Sequence, residues 1–119
     1  MCTIEERYNN ARNLMDQKKF KDAADEFELL AQETNNIQAA FASAKASNFM
    51  ARLYIEMGNN NGAVTYAERA ISWTAKLSYE EDVMKEYEKD VYGIYAAAQS
   101  LKGQALFYED YQSEACIEP

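Results

Sequence analysis

Histidine is absent from this chain. That removes the commonest general base and the commonest metal-ligating side chain, and it excludes serine–histidine and cysteine–histidine nucleophiles outright. The four glycines stand singly and far apart, so there is neither a G-x-x-x-x-G-K-S/T nor a G-x-G-x-x-G loop to cradle a phosphate. Cysteine is limited to Cys2 and Cys116. These have no metal-ligand spacing and form no disulfide framework, so they read as free thiols in a reducing compartment. No run of 18 apolar residues occurs, and Met1 to Arg7 carry acids instead of a signal-peptide core. The expected location is the cytoplasm, without membrane insertion. Basic residues are also scarce: 12 Lys and Arg face 20 Asp and Glu, for a formal charge of −8. Such a balance repels phosphate backbones and anionic lipid, so nucleic acid is not an expected partner.

What is present is helical. With one proline and 48% apolar residues, the abundant Ala, Leu, Met, Glu, Lys and Gln can run through long helices. Strand signals are nearly absent, and residues 1–119 suit a single all-α domain. Thr3 with Glu6 has the spacing of a capping box and opens a first helix on Ile4, Tyr8, Ala11 and Met15. Lys18 and Lys19 fall at its negative end. A second helix puts Phe20, Ala23, Ala24, Phe27, Leu30 and Ala31 on one face, and the opposite face, Asp22, Asp25, Glu26 and Glu28, is expected to be wet.

Asn35 and Asn36 then introduce a third helix running to about Met57, which Gly58 ends by a left-handed turn. This helix has two apolar stripes: Ile37, Phe41, Ala44, Ala51 and Tyr54, and Phe49, Met50, Leu53 and Met57. That pattern predicts a helix sandwiched between neighbours, with Ala39, Ala40, Ala42, Ser43, Ala44, Ala46 and Ser47 admitting close backbones. Asn59 to Gly62 supply a turn and an N-cap for a fourth helix carrying Ala63, Val64, Ala67, Ala70, Ile71 and Trp73. Ser78 with Glu81 has capping-box spacing again. Beyond it Val83, Tyr87, Val91, Ile94, Ala98, Leu101 and Ala105 keep one stripe across Gly93 and Gly103, as one long helix or as a hairpin turning near Lys102. The run Glu80, Glu81, Asp82, Glu86, Glu88, Asp90 reads as a solvated face laced with Lys85 and Lys89; no metal or other cofactor is expected. Of the tyrosines crowding the last third, Tyr87, Tyr92 and Tyr95 suit core or groove wall, and exposed ones among Tyr79, Tyr108 and Tyr111 would mark an interface.

One pattern is written twice. Tyr8, Ala11, Leu14, Phe20, Ala23, Phe27 and Leu30 return as Asn48, Ala51, Tyr54, Asn60, Ala63, Ala67 and Ala70. Repetition of a helical hairpin is the mark of units that bury their apolar faces by stacking on one another. These residues resemble the tetratricopeptide repeat, with Ala11 and Ala23, then Ala51 and Ala63, at its small crossing positions. Leu14, Phe20, Phe27, Leu30, Tyr54 and Gly58 fall at its large apolar, tyrosine and turn positions.

The resemblance implies a right-handed α-solenoid of antiparallel hairpins. Repeat 1 would span 4–37 and repeat 2 would span 38–77, with a capping helix or degenerate third repeat over 78–119. Gly93 and Ala105 would be that third unit's crossing, although Glu109 and Gln112 stand where apolar residues belong. Offsets of 40 (Ala11 to Ala51) and 42 (Ala51 to Gly93) exceed the usual period of about 34. They are closer to the long-helix variants of kinesin light chains, soluble attachment proteins of vesicle fusion and bacterial peptide-sensing regulators.

The resemblance further implies a non-catalytic module that grips a peptide or partner helix in a concave groove. Its groove positions fall on Glu5, Tyr8, Arg12, Met15 and Asp16, and on Lys45, Asn48, Arg52, Ile55 and Glu56. The guanidinium fork suits carboxylates, although the lysine and asparagine of the chaperone-tail clamp are replaced here by Tyr8 and Arg12. Two other readings of these residues stay open: Arg12 and Arg52 paired with Asp16 and Glu56 at i,i+4 spacing, and a homodimer or longer array completing a thin solenoid. The rival for the whole protein is a small acidic inhibitor or immunity-type protein that masks the basic surface of a nucleic-acid-binding protein or toxin.

Overall fold

The computed structural model describes residues 3–117, with side chains through residue 107. Five helices follow one another among them: α1 (Ile4–Asp16), α2 (Phe20–Thr34), α3 (Ile37–Glu56), α4 (Asn60–Ser78) and α5 (Glu81–Ile117). Each packs on the next, and α3 also meets α5.

Local chemistry sets most boundaries. The Thr3 hydroxyl accepts from the Glu6 N–H at 3.1 Å, Asn36 Oδ1 from Ala39 at 2.9 Å and Asn59 Oδ1 from Gly62 at 3.0 Å, each satisfying a donor that has no partner within its helix. The endings of α1 and α3 are copies of one turn. Lys19 N–H bonds Leu14 C=O at 2.9 Å around a left-handed Lys18 (φ 63°), and Asn59 N–H bonds Tyr54 C=O at 2.8 Å around Gly58 (φ 80°). All three residues of the second turn lie 40 positions after those of the first, so the duplication seen in the apolar pattern extends to the backbone. Ala11, Ala23, Phe27 and Leu30 and their counterparts Ala51, Ala63, Ala67 and Ala70 are all buried.

Small residues hold the centre. Along α3, Ala39, Ala40, Ser43, Ala44, Ala46, Ser47 and Ala51 are buried, and the Ser43 hydroxyl donates to the Ala24 carbonyl of α2 at 3.3 Å. The main apolar cluster joins Leu30 of α2, Phe41 of α3, Trp73 and Leu77 of α4, and Val83, Val91 and Ile94 of α5. Burial of a side chain the size of Leu30 contributes roughly 1.5–3 kcal/mol.

Several expectations need correction. The Ser78–Glu81 capping box does not form: Ser78 closes α4, and its hydroxyl donates to the Ala75 carbonyl at 2.6 Å. No hairpin turns near Lys102, since α5 runs through Gly93 and Gly103 and bends only at Tyr87 (φ −121°, ψ 20°). There the Tyr87 ring meets Phe41 edge-on at 5.4 Å. The second apolar stripe of α3 is half right, because Met50 is buried while Phe49 is 46% and Met57 71% exposed. Tyr92 and Tyr95 are exposed as well, not core; the side chains of Tyr108, Glu109, Tyr111 and Gln112 lie outside the described residues, as does Cys116.

The acidic face of α2 is not all wet. Arg69 of α4 reaches across to Asp25 at 3.0 Å and to Glu28, and the Trp73 indole N–H donates to the other Glu28 oxygen at 3.1 Å. Burial alone would lower the Arg69 pKa, but the Asp25 hydrogen bond and the charges of Glu28 and Asp25 outweigh it and hold the pKa above its usual value. The guanidinium therefore stays charged wherever the protein is folded. No helix among the described residues is long and apolar enough to cross a membrane.

Candidate protein-binding groove

Helix periodicity puts Lys45, Asn48, Arg52 and Ile55 on one side of α3, and the tertiary structure turns that side toward α5. Two adjoining clefts result. The first, about 240 Å³, has Lys45, Asn48, Phe49 and Arg52 on one wall and Gly93, Ile94 and Ala97 on the other. The second, about 470 Å³, continues past Arg52 and Ala97 to Ile55, Glu56, Ser100 and Leu101. The space exists because α5 is narrow here: a Cβ added at Gly93 would meet nothing within 4 Å. Asn48 ties the walls together, its amide donating to the Ile94 carbonyl at 3.3 Å. The other end of that amide, Oδ1, is buried and has no hydrogen-bond partner among the described residues.

The cations of the cleft have no carboxylate partner among the described residues. Among the described residues, Arg7 pairs with Glu33, Arg69 with Asp25 and Glu28, and Lys102 with Glu68. Lys45 and Arg52 have no such carboxylate, and neither does Arg12. The proposed i,i+4 pairs of Arg12 with Asp16 and of Arg52 with Glu56 are therefore not formed within 4.0 Å. Two positive charges seven residues apart on a helix are separated by about 10 Å along its axis, and among the described residues neither is neutralised by a carboxylate, on a chain of net charge −8.

The remaining sequence-predicted residues lie elsewhere. Tyr8 is half-buried, edge-on to Phe27 at 5.3 Å, and with Glu5, Ile4 and Gln38 it lines a separate cleft. Met15 packs in the apolar cluster between α1 and α2. Arg12 is exposed and lines neither cleft of the α3–α5 groove. The reason is packing: the main neighbour of α1 is α2, whereas α3 is pressed among α2, α4 and α5. Lys45, Asn48, Arg52 and Ile55 are thus brought together, and Tyr8, Arg12 and Met15 do not join them. Sequence reasoning missed Phe49, which stacks on Phe20 at 5.5 Å with its rings 11° apart and keeps one face to the cleft. It also missed the Gly93 and Ala97 wall. The signal available was the four-residue spacing of small residues on α5.

No protein-family model, curated protein or solved structure matches this chain. The reading of the groove therefore rests on its own geometry and chemistry.

Proposed function

We propose that this protein is a non-catalytic interaction module, a tetratricopeptide-like array of helical hairpins. Its α3–α5 groove takes a peptide or partner helix bearing carboxylates and an apolar side chain. The observation that carries this reading is the pair of unpaired cations, Lys45 and Arg52, flanking a cleft walled by half-exposed Phe49 and by Gly93. Free guanidinium and ammonium groups recognise carboxylates by charge-assisted hydrogen bonds, and an aromatic face beside a glycine gives an apolar anchor somewhere to sit. The copied turns at Lys18 and Gly58 support the repeat architecture, with α5 in the role of a capping helix.

The test is fluorescence anisotropy with a labelled, capped peptide in which glutamates surround one leucine. Binding should weaken on Arg52→Glu and Lys45→Glu and as salt rises. Gly93→Leu should abolish it without loss of helicity, because the new side chain fills the cleft. A peptide bound equally well by all three variants would refute the groove.

A further inference from the structure

The groove follows α5 in chain order, with Lys45 and Asn48 of α3 beside Gly93 and Ile94, and Ile55 and Glu56 beside Leu101 and Gln104. Past Gln104 the helix runs on to Ile117, about 20 Å further. The sequence from that point is acidic: residues 103–119 hold Glu109, Asp110, Glu114 and Glu118 and neither lysine nor arginine, which is four of the formal −8. One chain therefore contains both a cationic groove and a segment of the chemistry that fills it, carboxylates around an aromatic residue, Tyr111. The two do not meet within one copy. Because α5 bends only at Tyr87, it carries its acidic end away from its own groove.

The glycines of α5 point the same way. Gly93 and Gly103 stand inside a helix, where glycine costs stability, and a Cβ added at either would meet nothing within 4 Å. No contact among the described residues requires them, whereas a missing side chain admits a second backbone from outside. Resting on the groove as the binding site, we infer that its occupant is the acidic end of α5 from a second copy of this chain, exchanged reciprocally in a two-fold dimer. Two α5 helices crossing antiparallel near Gln104 bring position 111 of one level with Ala97 of the other, position 110 toward Arg52 and position 114 toward Lys45. Two-fold symmetry makes the same contact twice and leaves no open end. Glu56 is the one acid lining these clefts, against Lys45 and Arg52. The repulsion between two copies of charge −8 is screened beyond about 8 Å in physiological salt, while ion pairs in direct contact persist.

Sedimentation equilibrium of the full chain, with reductant present so that Cys2 and Cys116 cannot crosslink copies, is the test. A concentration-dependent monomer–dimer equilibrium is expected. Arg52→Glu, at an exposed position, and Asp110→Lys should each raise the dissociation constant about tenfold or more with circular dichroism unchanged. Combined in one chain they should restore it to within about threefold, because both signs are then reversed. Where the unaltered chain is dimeric, Asp110→Lys should bind the labelled glutamate–leucine peptide more tightly, since the competing segment has lost its charge. A strict monomer, a dimer indifferent to Arg52→Glu, or a double variant no better than either single one would overturn the assignment. A chain that binds the peptide yet never dimerises keeps the groove and loses this occupant, so the two failures are told apart.

Discussion

Replacing Arg69 by methionine should destabilise the fold by about 2 kcal/mol, and the structure says where that figure comes from. The guanidinium bonds Asp25, whose side chain is 51% exposed, and Glu28, which is 27% exposed. A half-exposed pair contributes about 0.5 kcal/mol. A charge-assisted bond between two groups each about three-quarters buried contributes about 1 kcal/mol. Arg69 also lies over the Tyr66 ring at 5.1 Å, a contact of about 0.5 kcal/mol. Methionine keeps most of the apolar stem, so lost packing adds little. For a chain of this size the change lowers Tm by about 8 °C.

Urea unfolding followed by circular dichroism and by Trp73 emission is the assay, because the indole N–H shares Glu28 with Arg69. A double-mutant cycle with Glu28→Gln isolates the pair. Glutamine preserves an acceptor for Trp73, so the coupling should be about 1 kcal/mol and should shrink in high salt. Coupling below about 0.3 kcal/mol would mean that the clasp between α2 and α4 is decorative and that the apolar cluster alone joins them.

The duplicated turn gives a pair of opposite outcomes. Lys18→Gly should raise stability by about 0.5–1 kcal/mol and Gly58→Ala should lower it by about 1 kcal/mol, both read as urea midpoints, since each site holds the left-handed conformation that only glycine adopts without strain. The Tyr66 phenol is raised above its ordinary 10.0, first by burial, then by the charge of Asp25 and by Tyr54, against the opposing effect of Arg69. A raised acid favours the neutral form in the fold, so its contribution is complete below pH 10.0 and is lost as pH climbs through the folded value. Tyr66→Phe should flatten that alkaline decline in a Tm-against-pH series, and an unchanged slope would exclude this tyrosine as its cause.

Much of the architecture was legible because it is short-range. Thr3, Asn36 and Asn59 cap helices through bonds to residues three positions away, and Gly58 ends α3 by its own φ. The second helix's face was read correctly because a period of 3.6 fixes which residues share a side. Errors arose where local signals compete with packing. Ser78 has a cap's spacing but closes the preceding helix, since α4 runs on until Leu77 is buried. The pattern by itself leaves open a turn near Lys102 and Gly103; Val91, Ile94, Ala98, Leu101 and Ala105 are all buried along one side of α5, and that burial keeps the helix intact there.

The candidate site divides along the same line. Sequence alone determined the all-helical composition, the 40-residue duplication, and that Lys45, Asn48, Arg52 and Ile55 share one face, because helical periodicity and backbone preferences act within a few residues. Only the tertiary structure decided that this face looks onto Gly93 and Ala97, that Arg12 stands apart from it, and that Asp25 and Glu28 both pair with Arg69. Those outcomes depend on which helices touch, and that is set by how alanines and serines let backbones approach across tens of residues of chain.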